Sequence, residues 1–131
     1  MTEAVERRRL PDTRRSVTHK VVIEGDQGKV SVFLTAGFYE DGRLGEVFVR
    51  IGKAGSTMTG LADTVAILLS FALQYGVPLE PLARRLKDAS FAPMGATSNP
   101  AIPTCTSITD YLFRWLEQVP VGSDGERSDG P

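Results

Sequence analysis

The stretch Arg50–Gly60, RIGKAGSTMTG, joins two different patterns of apolar residues and so decides the fold class. The segment that leads into it, Leu44–Ile51 (LGEVFVRI), alternates apolar and polar positions, which is typical of a strand with one buried face. After it, the apolar positions of residues 57–75 recur at spacings of three and four, as in a helix. The stretch therefore predicts a turn between a strand and a helix.

Two further strands are predicted upstream of this turn. Residues 16–24 are rich in β-branched side chains, and residues 29–38 alternate in polarity. Residues 25–28 have the composition of a turn, and the Asp-Gly pair at 41–42 is a strong hairpin signal. With Leu44–Ile51, these segments predict an antiparallel three-stranded meander.

Three helices are predicted downstream, over residues 57–75, 79–89 and 107–118. Gly76 and Pro78 end the first helix, and Ser107 is suited to cap the third. The intervening residues 90–106 hold three prolines and are predicted as loop. The first helix is apolar nearly all round, so either the later helices or a second subunit should cover it.

This order predicts an α+β fold, with an antiparallel three-stranded meander followed by three helices packed on one face. Residues 16–120 form the predicted domain, and residues 1–15 and 121–131 are predicted as a flexible basic arm and a disordered acidic tail. The net charge of −1 makes DNA or RNA binding unexpected. One cysteine excludes an intrachain disulfide, and the longest apolar run is too short for a membrane span, so we expect a cytoplasmic protein.

The turn itself has the ingredients of a phosphate site. Glycines let an anion approach the backbone, and a helix N-terminus, a lysine and hydroxyls supply donors. The predicted contacts are Lys53, Gly55, Ser56 and Thr57, with Arg50, His19 and Tyr39 as further candidates. The spacing differs from the nucleotide-binding P-loop, and a plain turn with a Ser56 or Thr57 cap is the alternative.

Other chemistry is weakly supported. His19 is the only histidine and Cys105 the only cysteine, so the sequence offers no metal-ligand spacing and we predict neither a metal site nor a catalytic residue. Phe38, Tyr39 and Phe48 predict either an exposed aromatic patch or ordinary packing of the sheet. We therefore expect no enzymatic activity from this chain by itself.

Four stretches carry a resemblance to a known family: residues 7–20 (RRRLPDTRRSVTHK), 37–86 (containing EVFVRIGKAGST and FALQYGVPLE), 91–100 (FAPMGATSNP) and 107–116 (SITDYLFRWL). They resemble the C-terminal domain of class II, adenosylcobalamin-dependent ribonucleotide reductases, named TSCPD after a Thr-Ser-Cys-Pro-Asp motif. The nearest text here is Pro103–Ser107, followed by Asp110. The catalytic barrel that would bind adenosylcobalamin lies outside the resemblance, so we expect no cofactor on this chain.

The resemblance implies a standalone accessory domain in deoxyribonucleotide synthesis, with a reductase body as partner. A second hypothesis is a homo-oligomer that sequesters a nucleotide or cyclic nucleotide signal, as a phage-encoded anti-defence protein would. A third hypothesis, an enzyme that uses His19 or Cys105, ranks last.

Overall fold

The computed structural model describes residues 5–26 and 28–119, which form a five-stranded sheet and three helices. The strands are β1 (Ser16–Gly25), β2 (Gly28–Phe38), β3 (Leu44–Ile51), β4 (Gly95–Thr97) and β5 (Thr104–Cys105). The helices are α1 (Ser56–Gln74), α2 (Leu79–Leu86) and α3 (Ile108–Gln118). The α+β class and the three predicted helices are confirmed.

The sheet has the strand order β3-β2-β1-β4-β5, with antiparallel pairing throughout. The predicted meander forms one side of it, with Val21 opposite Val32 and Leu34 opposite Val49. The prediction of three strands was wrong, because β4 and β5 lie within residues 90–106, which were expected to be loop. These strands have three and two residues, too few to show any periodicity.

Tertiary pairing rather than local sequence creates β4. Its residue Thr97 pairs with Ile23, and Ser98 continues the pairing by exchanging hydrogen bonds with the backbone of Val22. Gly95 has φ +149°, and a side chain there would collide with the carbonyl of Glu24. The short strand β4 therefore pairs with the end of β1, so that β1 lies between β2 and β4 in the sheet.

The two faces of the meander differ in character. The inner face is apolar and buried, and its members are Val21, Ile23, Val32, Leu34, Ala36, Val47, Val49 and Ile51. Helix α3 contributes Tyr111, Leu112, Trp115 and Leu116 to the same core. The predicted Ser107 cap of α3 is confirmed, since its hydroxyl accepts a hydrogen bond from the Asp110 N–H at 2.8 Å.

Helix α1 covers the free edge of β3. The Ser70 hydroxyl accepts from the Val47 N–H at 2.9 Å and donates to the Val47 carbonyl at 3.1 Å. One turn later, Gln74 donates to the Gly45 carbonyl at 2.9 Å. These bonds satisfy edge groups that would otherwise be open to another strand. The helix ends as predicted at Gly76, whose φ is +97°.

Part of the predicted arm, residues 5–15, contacts the domain. Arg8 donates its N–H to the Gln74 carbonyl at 2.9 Å, and its own carbonyl accepts from the Tyr39 hydroxyl. Arg14 forms a two-bond ion pair with Glu46. Flexibility of the arm concerns motion and stays a prediction; residues 120–131, which include the predicted tail, lie outside the described residues.

Candidate functional site

The strand-to-helix turn presents an open helix end. Lys53 is exposed with φ +58°, and Gly55 is the N-cap residue of α1. Ser56 and Thr57 lie in the first turn of the helix and do not occupy the cap position, and Gly55 has no side chain to provide a cap bond. The predicted hydroxyl cap was therefore wrong, while the phosphate site at Lys53, Gly55, Ser56 and Thr57 stays a prediction.

Of the other three candidate residues, Arg50 lies at the end of β3 beside the turn, and His19 and Tyr39 lie away from it. Arg50 is on the outer face of β3, whereas His19 is on the inner face of β1 against α3. Tyr39 follows β2, near the start of β3, and the turn follows the end of β3. An eight-residue strand separates them by about 25 Å. The seven predicted residues thus do not converge on one site.

His19 belongs to a hydrogen-bonded chain beneath the sheet. Its Nε2 is 2.7 Å from the Tyr111 hydroxyl, which accepts from the Asn99 amide at 2.9 Å. Its ring stacks on Trp115 with centroids 5.4 Å apart. Partial burial lowers the pKa of His19 below its ordinary value. This shift favours the neutral imidazole, and the ring serves the packing of β1 on α3.

Tyr39 also has a structural role, because its ring and hydroxyl contact other parts of the domain. Its ring is buried between the guanidinium groups of Arg8 and Arg43, which lie 4.4 Å and 5.1 Å from the ring centroid. Burial raises the pKa of Tyr39, and its hydroxyl donates to the Arg8 carbonyl. Phe38 is buried as well, so of the three aromatic residues considered for an exposed patch only Phe48 is exposed.

Cys105 is buried in β5, and this burial raises the pKa of its thiol. A thiol held in its protonated form is a poor nucleophile. The predicted position beside a helix N-terminus is correct, but the environment acts against the activation that such a position can provide.

The described residues do not assemble a set of metal ligands. Within residues 5–26 and 28–119, no group of three or more histidine, cysteine, aspartate or glutamate side chains is placed to hold a metal. The single histidine has its Nε2 bonded to Tyr111 and its ring stacked on Trp115.

Asp110 forms a buried charge network that joins three segments. Its carboxylate accepts from the N–H groups of Asp88 and Thr106 at 2.7 Å and 3.0 Å and from the Arg114 guanidinium at 2.8 Å. Although burial alone would raise the pKa of Asp110, these hydrogen bonds and the Arg114 charge lower it overall. The network fixes the chain after α2 and before α3, so the Asp110 carboxylate serves the fold.

Two surfaces remain uncovered in the described structure, and the first is α1. Its buried side chains are Ala66, Leu69, Leu73 and Gln74. The side chains we call the α1 stripe are large, apolar and exposed: Met58, Leu61, Val65, Ile67, Leu68 and Phe71. Of the two coverings expected for α1, the later helices leave these residues exposed, and covering by a second subunit stays a prediction. The spacing of apolar residues could not reveal which side of an all-apolar helix faces the core.

By length and composition alone, α1 is also apolar enough to cross a membrane. Its hydrogen bonds to the β3 edge argue against that use. A bilayer would have to admit the strand together with the helix, including the charged side chains of Glu46 and Arg50. The stripe is better explained as a protein-binding surface.

The second uncovered surface is the outer face of the meander. Lys20, Phe33 and Arg50 lie directly opposite one another on β1, β2 and β3. The next row holds Thr18, Thr35 and Phe48. The alternation of β3 already indicated that Phe48 and Arg50 point away from the core, but only the strand registers place them beside Lys20 and Phe33.

These observations define a small α+β domain whose sheet and first helix each leave a face uncovered. The chain belongs to the TSCPD domain family, whose profile matches residues 4–120. This confirms the resemblance recognised in the sequence.

The curated proteins that resemble this chain are much longer. Vitamin B12-dependent ribonucleotide reductases of Rhodopirellula baltica, Streptantibioticus cattleyicolor and Streptomyces avermitilis are 48%, 41% and 41% identical to this chain over 110 residues. The matches cover 84% of this chain but only 10%, 18% and 11% of those relatives. No solved structure matches the chain.

Proposed function

We propose that this chain is a non-catalytic accessory domain that docks on a vitamin B12-dependent ribonucleotide reductase in the cytoplasm and serves deoxyribonucleotide synthesis. The observation that carries the proposal is the exposed α1 stripe. In these relatives, the matching segment is part of a chain about five to ten times as long, given matched shares of 18% and 10%. A large protein body is thus the natural partner for a surface of this kind.

The exposure of the stripe is large for a surface of a single domain. Leu61 is 63% exposed, Ile67 57% and Leu68 65%. A helix of 19 residues is about 28 Å long and about 10 Å wide. Contiguous apolar patches beyond a few hundred Å² mark interaction sites on soluble proteins. Covering the stripe would remove most of its apolar area from water and drive association.

A groove beside the N-terminal half of α1 adds shape to this surface. It has a volume of about 680 Å³ and is lined by Met58, Leu61 and Val65 from α1 and by Leu86 and Phe91 from α2 and the chain beyond it. Apolar grooves of this kind accept the apolar side of a partner helix. Both walls of the groove are therefore suited to a protein ligand.

The six residues of the stripe are all uncharged. Asp63 is the only charged residue of α1 and lies at the border with the sheet, and Arg7 rests 4.2 Å from the Phe71 ring centroid at the C-terminal end of the stripe. Interface centres are depleted in charged residues, whereas nucleic-acid surfaces are strongly positive. The composition of the stripe therefore favours a protein partner.

The test is co-purification of the full chain with a vitamin B12-dependent reductase that lacks its own TSCPD segment. We expect a complex, and we expect Leu61→Ser/Leu68→Ser to weaken it by at least about tenfold, since each change removes an apolar anchor at the interface. Both side chains are exposed, so the double variant should fold as the parent does. Val5→Ser, at another exposed apolar position, is the matched control and should bind normally.

Three outcomes would count against this proposal. One is the absence of a complex at micromolar concentrations of both proteins. Another is a complex that the double variant forms as well as the parent. The third is a chain that self-associates through the stripe, or binds neutral lipid vesicles through it, and ignores the reductase; light scattering and vesicle flotation detect these two cases.

A further inference from the structure

The outer face of the meander carries a row of side chains that point away from the core. Arg50 and Lys20 both lie over the Phe33 ring, at 4.3 Å and 5.6 Å from its centroid. Each is directly opposite Phe33 in the strand register. One aromatic ring is therefore flanked by two cations on an open sheet face.

Neither cation has an acidic partner within the described structure. Among residues 5–26 and 28–119, no carboxylate lies within 4.0 Å of Lys20 or Arg50, whereas Arg14, Lys87 and Arg114 all form ion pairs. Cations that rest on an aromatic ring keep their N–H groups free for another acceptor. The row thus presents positive charge to an anionic ligand.

The neighbouring row supplies an open ring and hydroxyls. Phe48 is 54% exposed, in contrast to the buried rings of Phe38 and Tyr39. The Thr18 and Thr35 hydroxyls lie 3.3 Å apart in the same row. A groove of about 410 Å³ contains these groups, and Thr59 and Asp63 of α1 form its opposite wall.

We infer that this outer face binds a nucleotide, with the base stacked on Phe48 and the phosphate held by Arg50 and Lys20. Exposed aromatic rings with flanking cations on a sheet are the usual means of binding bases and their phosphates. The groove volume suits one nucleotide unit, and the Asp63 carboxylate offers an acceptor for base N–H groups. The same chemistry would fit a free nucleotide or one unit of a single strand.

This site adjoins the C-terminal half of the α1 stripe, because Phe48 and Asp63 also line a groove with Ile67 and Phe71. Leu61 and Leu68, the two stripe residues chosen for substitution, line neither groove. Substitution of these two residues should therefore test docking without changing the nucleotide site. In particular, Leu61→Ser/Leu68→Ser should bind nucleotide as the parent chain does.

Isothermal titration calorimetry of the full chain tests the site with four probes: AMP, adenosine, ribose 5-phosphate and an oligothymidylate of ten nucleotides. We expect AMP to bind about tenfold or more tightly than either adenosine or ribose 5-phosphate, because each of these lacks one of the two contacts. An oligothymidylate that binds about tenfold better than AMP would identify a single strand as the source of the ligand. Failure of both AMP and the oligonucleotide to bind at about 1 mM would overturn the inference.

Variants locate the site. Phe48→Ala and Arg50→Ala should each weaken binding by about tenfold, whereas Lys29→Ala and Phe91→Ala should bind normally. Lys29 is an exposed cation on the same face, further along β2, and Phe91 is an exposed ring on a different surface. Circular dichroism checks the folding of each variant, and Phe48→Leu repeats the test with a smaller change. Unchanged affinity in the Phe48 and Arg50 variants, or loss only in Lys53→Ala, would reject the outer face as the site.

Discussion

The single histidine of the chain, His19, should make the free energy of unfolding fall as the pH drops below the ordinary histidine pKa of about 6.5. Partial burial lowers its pKa, so the folded state favours the neutral ring more than the unfolded state does, where the pKa is about 6.5. Its contribution to stability is therefore fully present above the unfolded pKa and is lost as the pH falls through the folded pKa. The Tyr111 hydroxyl, which accepts from Asn99, lies 2.7 Å from Nε2 and is able to donate its proton to the neutral ring.

Urea unfolding at pH 7.5, 6.5, 5.5 and 5.0 measures this effect. We expect the urea midpoint of the parent chain to fall on acidification and that of His19→Gln to change much less over the same range. The chain has no second histidine to confuse the comparison. Parallel pH profiles for the two proteins would show that the His19–Tyr111 contact does not discriminate between the protonation states.

At the scale of the element, Ser70 shows how a helix can protect a sheet edge. Removal of its hydroxyl in Ser70→Ala would leave both the N–H and the carbonyl of Val47 without this partner in a partly buried place. An unsatisfied group of this kind costs about 1–3 kcal/mol. We expect the free energy of unfolding to drop by that amount, as measured in urea.

The matched control for Ser70 is Thr64→Ala in the same helix. The Thr64 hydroxyl donates to the Gly60 carbonyl, which belongs to its own helix, and Thr64 is exposed. Its loss should change stability by less than about 0.5 kcal/mol. Equal effects of the two substitutions would mean that the edge bonds to β3 contribute nothing beyond helix propensity.

The same helix shows where sequence reasoning stops. Periodicity and terminating residues predicted its boundaries within one residue, since Gly76 and Pro78 act through local backbone geometry. Its buried side was not predictable, because Leu61 and Leu68 are as apolar as Leu69 and Leu73. Only packing on the edge of β3, a contact between distant parts of the chain, selects the side that is buried.

At the scale of the whole molecule, the strands and helices with clear local patterns were predictable, and the features made by long-range contacts were not. The β2–β3 hairpin follows from Asp41 and Gly42, whereas β4 exists only because residues 95–97 meet β1. The candidate site follows the same division. Arg50 was selected from its place in the sequence, but its partner Lys20 emerges only from the register of three strands.

The N-terminal arm tests whether long-range contacts override what its local composition predicts. Its many charges predict a flexible segment, yet Arg14 pairs with Glu46, which is only 8% exposed. The Arg8 carbonyl also accepts a hydrogen bond from the Tyr39 hydroxyl. The hydrogen bond with Glu46 also raises the pKa of the Arg14 guanidinium above its usual value. Arg14→Ala would leave a buried carboxylate without its cation, so we expect a loss of about 1.5–3 kcal/mol in urea unfolding.

Arg9→Ala is the control, since Arg9 is exposed and forms no ion pair within the part of the chain that the structure describes. Deletion of residues 1–14 should exceed the effect of Arg14→Ala, because it also removes the hydrogen bonds that join Arg8 to Gln74 and Tyr39. If the deleted chain kept both the urea midpoint and the slope of the parent, the arm would be loose in solution, as its composition predicts. A lower midpoint with the deletion would instead make the arm a part of the cooperative fold, because a segment that is already loose in the native state adds nothing to the free energy of unfolding.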